Sequence, residues 1–276
     1  MTELPPLPPC RGPKLHAFEH QNAPIEWVSR LDGDRDDDGI EGYVFEVKIK
    51  SKTYALKVFK FIDPFETEYY WGPILGDSCP LEKVLSYTDP FYAECRAFGR
   101  IQQAYDEGKV HRNQILAVKC HGYLFLSDED LLELEERGYN FETGVLDDED
   151  LRRAFGSGGR VRAIVKDLEV DNKGLNSGNI RKAFERVRAL NQLKIYNRDV
   201  RAANIMNCRL VDFGSSWTEP HEILSASSQQ TILGEKLAYM LEFDQMIADE
   251  NIKTRFKALP DEGYCNRKLR SWCAKQ

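Results

Sequence analysis

Residues 44–59 alternate, and that alternation constrains the fold more than any other feature of the chain. Between Val44 and Ile49, the residues Phe45, Val47 and Ile49 share one face. Between Tyr54 and Phe59, Tyr54, Leu56 and Val58 do the same, with Lys57 on the opposite side. A period of two is a strand period, and Ser51-Lys52 between the runs suits a hairpin turn. Further strand-like runs are Ile115 to Val118, Tyr123 to Leu126 and Val161 to Val165. Five strand candidates therefore fall before residue 166, and helical patterns dominate after it.

The helical signal is clearest at Phe91 to Gln103, where Phe91, Cys95, Phe98 and Ile101 or Gln102 lie near one face. Ile180 to Ile195 places Phe184, Val187 and Leu190 at three-residue steps, and a further helix spans about Leu233 to Ala248. The segment 63–90 is broken by prolines and glycines and reads as an inserted loop with one short helix. Residues 128–153 are acidic with leucines between, as surface helices are. The pattern is α+β, β-rich first and helical second.

With 276 residues, 42% of them hydrophobic, the chain can bury a real core, and no apolar run reaches membrane-helix length. The Met1-Thr2-Glu3-Leu4 start lacks the basic and apolar regions of a signal peptide, so cytoplasm or nucleus is expected. A net charge of −7 argues against direct nucleic-acid binding. Seven dispersed cysteines without a CxxC pair read as free thiols. The Leu/Pro-rich start reads as a stiff, disordered tail, although Pro6 to Arg11 has the PxxPxR form of an SH3-type ligand.

Four short pieces carry the chemistry. Gly39-Ile40-Glu41-Gly42 precedes a strand, and Tyr54-Ala55-Leu56-Lys57 lies in the next. Asn197-Arg198-Asp199-Val200-Arg201-Ala202-Ala203-Asn204 follows a long helix, and Val211-Asp212-Phe213-Gly214 comes soon after. In this order they resemble the eukaryotic protein-kinase signature set. The resemblance covers roughly residues 31–250. The strings around Lys57, Glu94 and Asp199 also resemble small fungal kinase-like proteins named after a kinetochore-complex subunit.

The resemblance implies a bilobal protein-kinase-like fold, with a five-stranded antiparallel N-lobe and a reduced helical C-lobe. Residues 1–24 are then the tail, and 25–167 the N-lobe with insertions at about 63–90 and 128–158. The truncated C-lobe spans 168–276. It implies ATP and Mg²⁺ as cofactors. Lys57 grips the α/β-phosphates, Glu94 is its helix partner in preference to Glu82, and Asp199 positions the acceptor hydroxyl. Asn204 and Asp212 hold metal, while Gly39, Gly42, Val44, Ala55, Lys57 and Asp167 hold nucleotide.

Several positions depart from the set. Asp37 replaces the first loop glycine among several acids, which disfavours phosphate by like charge. Asn197 replaces the catalytic-loop histidine, and no APE or DxW motif follows Gly214. The implied function is phosphotransfer to a protein hydroxyl. The alternatives are a pseudokinase that binds protein partners, in a chromosome or kinetochore assembly, and a small-molecule kinase.

Overall fold

The computed structural model describes residues 7–33, 41–76, 78–111, 113–156, 158–170, 172–261 and 263–273. Its sheet comprises β1 (Ile25–Arg30), β2 (Gly42–Ile49), β3 (Lys52–Phe59), β4 (Cys120–Phe125) and β5 (Arg162–Asp167). The spatial order is β1-β2-β3-β5-β4, with every neighbouring pair antiparallel. Ile49 pairs with Lys52, so Lys50-Ser51, and not Ser51-Lys52, forms the hairpin turn. Both turn residues have positive φ, 48° and 64°, which fits a two-residue turn following the right-handed strand twist.

The expected strand at Ile115 to Val118 is a connection instead, with Leu116 to Val118 buried and Ile115 exposed. It makes one isolated bridge, Ala117 to Leu210, and Val118 N–H donates to Leu210 O at 3.1 Å. The fifth strand is β1, an edge strand that pairs with β2 through a register shift between Trp27 and Ser29.

The segment 63–90 is more helical than expected. After a 3₁₀ turn at Pro64–Thr67 come α1 (Glu68–Leu75) and α2 (Leu81–Thr88). Pro64 and Pro80 stand at helix starts, where a missing N–H costs little, and Gly76 ends α1 with φ 79°. Next is α3 (Pro90–Asp106), capped by Asp89, whose carboxylate accepts from Tyr92 N–H. Its residues Phe91, Cys95, Phe98 and Ile101 all join the main core. The acidic stretch forms α4 (Asp128–Glu136), opened by a Ser127/Asp130 capping box, and α5 (Glu149–Ala154).

The second half contains α6 (Ile180–Gln192), then β6 (Ile195–Tyr196), β7 (Ile205–Met206), β8 (Arg209–Leu210) and β9 (Trp217–Thr218). The β7–β8 hairpin turns through Asn207 and Cys208, both at positive φ, as the short spacing predicts. Helices α7 (Glu222–Ala226), α8 (Gln229–Asp249) and α9 (Tyr264–Cys273) complete the chain. A small separate cluster, including Trp71, Val84, Tyr87, Trp217 and Ile223, fastens α1 and α2 to the segment after Gly214.

From residue 7 onward the N-terminus is not a disordered tail. Leu7, Leu15 and Phe18 are buried in the main core. Phe18 N–H donates to Tyr123 O at 2.7 Å and Tyr123 N–H to His16 O at 3.1 Å, which covers the free edge of β4. Gly99 and Gly122 admit this strap: a Cβ would meet Lys14 O at 2.9 Å and His16 O at 2.7 Å respectively. In the SH3-like string, Leu7 and Pro8 are buried, so the stretch is not a freely presented ligand. Pro6 lies outside the described residues, as do Asp37 and Gly39.

Candidate functional site

Side chains on one face of a strand recur every second residue, and opposite residues of paired strands share that face. Ala55 pairs with Lys166 and Lys57 with Ile164, so β3 and β5 present Ala55, Lys57 and Lys166 together. Beneath them α3 brings up Glu94, which is wholly buried. Lys57 Nζ lies 2.6 Å from Glu94 Oε1, 2.8 Å from Asp212 Oδ1 and 3.4 Å from Glu41 Oε2. Lys166 Nζ lies 2.7 Å from Glu94 Oε2 and donates to Val211 O at 2.8 Å. Two lysines therefore bracket one carboxylate. Glu82 is exposed on α2, away from this cluster.

The charges set each other's protonation. Burial works against the Lys57 ammonium, but the Asp212, Glu94 and Glu41 carboxylates outweigh it and hold its pKa well above the ordinary value. Burial likewise works against the Asp212 carboxylate. Lys57, Lys166 and the Gly214 N–H reverse that and hold Asp212 below the usual carboxylate range. Glu94 and Glu41 are both raised, chiefly by burial, with the lysines opposing the shift.

The second lobe contributes a hydrogen-bonded loop between β6 and β7. Asn204 Nδ2 donates to Asp199 O at 3.1 Å and Asp199 Oδ2 at 2.8 Å. Both neighbours are acceptors, which fixes the amide orientation and leaves Asn204 Oδ1 uncommitted. Asn197 stands where the resemblance has histidine. It accepts from Asp199 N–H at 2.8 Å and donates to Asp212 O at 3.1 Å, joining two pieces of the site. Arg198 packs locally, 3.0 Å from Glu235 and over the Trp217 ring.

A cavity of about 270 Å³ opens between the lobes. Its wall contains Val44, Ala55, Lys57, Asp167, Asn204 and Asp212, six of the residues that the sequence singles out. Lys166 is also in the wall, while Asp199 and Gly42 are not among its lining residues. Gly42 instead meets the β3 backbone, where a Cβ would lie 2.1 Å from Val58 O. That close approach explains the glycine without any ligand. Asp167 Oδ1 is 2.7 Å from His121 Nε2.

Sequence reasoning missed two groups, Lys166 and Glu41. The signal for Lys166 lay in β5, where Arg162, Ile164 and Lys166 share a buried face. Glu41 reaches from the acidic loop onto Lys57, and its other oxygen is 3.3 Å from Ser215 Oγ.

These features, a Lys57–Glu94 pair, an Asp-Phe-Gly aspartate beside it and a bonded Asp199/Asn204 loop, make the arrangement protein-kinase-like. The family model described as kinetochore Sim4 complex subunit FTA2 matches residues 3–217. The chain belongs to that family. Among solved structures, a vaccinia related kinase 3 structure is similar, at 11% identity and a TM-score of 0.41, covering 98% of this chain and 77% of that one. No curated protein sequence matches significantly.

In this FTA2-family chain the donor set fits a hard divalent cation. Asn204 Oδ1 and Asp212 Oδ2 are carbonyl and carboxylate oxygens without described partners, and Mg²⁺ is commonly held by one or two protein groups plus substrate phosphates. Among the described residues, no group of three or more His, Cys, Asp or Glu side chains is placed to hold a metal.

Proposed function

We propose that the protein is a Mg²⁺-dependent phosphotransferase of protein-kinase type, using a purine nucleoside triphosphate, ATP by the sequence resemblance, to modify a protein hydroxyl. The observation that carries the reading is the gathering of Lys57, Asn204 and Asp212 on one cavity wall, with Asp199 bonded to Asn204. Nothing in folding calls for so many buried charges in one place, since each costs desolvation. When bound, the nucleotide supplies the phosphoryl group, and the metal neutralises its charge. Lys57 holds phosphate oxygens, Glu94 aims Lys57, and Asn204 and Asp212 hold the metal. Asp199 orients the acceptor hydroxyl and takes its proton. Family membership supports a protein partner or substrate in a kinetochore complex, and with it a nuclear location.

A second reading has its own observation. Glu41 sits on Lys57 and Gly214, where a Cβ would lie only 1.8 Å from Glu41 Oε2, so a carboxylate already neutralises the phosphate-binding lysine. That favours a partner-binding pseudokinase. Calorimetric titration of nucleotide with Mg²⁺, followed by γ-phosphate transfer to a generic protein, separates the two. Binding with transfer supports the enzyme, and absence of both supports the pseudokinase.

A further inference from the structure

The chain holds 45 Asp and Glu against 38 Lys and Arg, so acids are in excess. Exposed cations accordingly find partners, as Lys48 does in Glu26, Arg137 in Glu133 and Arg267 in Asp261. A group on the second lobe does not. Arg181 and Arg188 on α6, and Lys253, Arg255 and Lys257 after α8, are all exposed, and none has an ion pair among the described residues.

Aromatic packing holds the two sets of cations side by side. Phe184 of α6 lies 5.3 Å from Phe256, and the Arg181 guanidinium stands over the same Phe256 ring at 5.2 Å. Arg188, one helical turn beyond Phe184, is close enough to Tyr239 for its charge to act on that hydroxyl, and Tyr239 stacks on Phe184. Along 253–257 exposure alternates: Thr254 and Phe256 are half-buried, while Lys253, Arg255 and Lys257 face solvent. Glu185 is the one acid between Arg181 and Arg188, and Asp249 and Glu250 precede the segment. The Asp244 carboxylate is turned to the N–H groups of Ala258 and Leu259, at 2.6 and 2.9 Å. Like charges gathered in this way repel one another, and an anionic partner relieves the repulsion.

We propose that this patch is a docking surface for an acidic segment of a partner protein, a short run rich in Asp and Glu. Its carboxylates pair with Lys253, Arg255 and Lys257 and with the two α6 arginines. A nucleic-acid duplex fits less well. The rise from Arg181 to Arg188 is about 10 Å, against roughly 34 Å for one turn of DNA. A duplex laid on the patch runs past it, over a chain of net charge −7. Exposed pairs are individually weak, so binding comes from several together and falls with salt.

The test is fluorescence anisotropy of labelled octaglutamate with the full chain, at about 50 and 200 mM salt, with a labelled DNA duplex in parallel. Wild type is expected to bind the peptide, more tightly at low salt, and to bind it more tightly than the duplex. Reversing Lys253→Glu, Arg255→Glu and Lys257→Glu together is expected to weaken peptide binding at least about fivefold, since three exposed pairs are lost. Lys50→Glu, Lys119→Glu and Arg152→Glu, three exposed cations on the first lobe, change net charge equally and are expected to leave binding within about twofold. Equal weakening by the two triple variants assigns binding to overall charge and overturns the patch. Tighter binding of the duplex overturns the choice of a protein segment in favour of nucleic acid. No peptide binding by wild type overturns the proposal, and the wild-type comparisons stand even if a variant does not fold.

Discussion

Lys57 Nζ on β3 and Glu94 Oε1 on α3 lie 2.6 Å apart, with Glu94 wholly buried and its other oxygen 2.7 Å from Lys166. Removing that carboxylate leaves Lys166 buried without its carboxylate partner and Lys57 with only Asp212 and Glu41. Glu94→Ala is expected to destabilise the fold by about 3–5 kcal/mol in denaturant unfolding, as loss of one partner from a buried charge cluster does. Glu82→Ala, on the exposed side of α2, is expected to change stability by less than about 0.5 kcal/mol. Equal effects from the two substitutions contradict the pairing.

In the function proposed above Glu41 competes with phosphate for Lys57, since it lies 3.4 Å from the same ammonium. Replacing its charge with a neutral amide removes like-charge repulsion against a triphosphate. Glu41→Gln is expected to tighten Mg·nucleotide binding by roughly threefold to tenfold, or about 1 kcal/mol. Calorimetry on the purified variant measures it. Unchanged or weaker binding means that Glu41 does not stand in the phosphate's way.

Two glycines separate backbone need from site chemistry. A Cβ at Gly42 meets backbone, Val58 O at 2.1 Å, so Gly42→Ala must distort the β2–β3 hairpin. A loss of at least ~2 kcal/mol without any ligand is expected from thermal or denaturant melting. A Cβ at Gly214 meets the flexible end of Glu41. Gly214→Ala is therefore expected to cost less stability than Gly42→Ala and to displace Glu41 from Lys57. The reverse ranking in melting experiments contradicts this account.

The buried His221 ring stacks on Trp217, and its Nδ1 accepts from Leu224 N–H at the start of α7. Burial, with the Arg96 and Arg198 charges, holds its pKa well below the ordinary value. Above about pH 6.5 the ring is neutral in both folded and unfolded chains, and its contribution is complete. As pH falls below that value the unfolded chain takes up a proton that the folded one refuses. Stability then falls by up to ~1.4 kcal/mol per pH unit until the folded pKa is reached. His221→Asn keeps a capping acceptor and is expected to flatten this limb. An unchanged slope in pH-dependent urea unfolding assigns it to other groups.

What could be read from the sequence depended on periodicity. The β2–β3 hairpin was legible because Phe45, Val47 and Ile49 alternate cleanly, and α3 because Phe91, Cys95 and Phe98 keep a helical step. β1 was not legible: as an edge strand with a register shift, it buries only Trp27 among its six residues. Ile115 to Val118 misled in the opposite direction, since a connection whose Leu116 to Val118 are buried is as apolar as a strand. At the site, Lys57, Glu94, Asp199, Asn204 and Asp212 carried motif signals. Lys166 and Glu41 act through tertiary contacts with residues far along the chain, which no local spacing reveals.

The most direct test of the central claim is γ-phosphate transfer to protein by wild type, Asp199→Asn and Asp212→Asn, with Mg·nucleotide binding measured in parallel. Asp199 is 36% exposed at the side-chain level, bonded to Asn204 and 3.0 Å from Arg201; in the function proposed above it meets the acceptor, whereas Asp212 holds metal. The account predicts transfer by wild type, lost in both variants, with nucleotide binding retained in Asp199→Asn and weakened in Asp212→Asn. Wild type that neither binds nucleotide with Mg²⁺ nor transfers phosphate contradicts it and leaves the buried charges as a structural feature of a partner-binding protein.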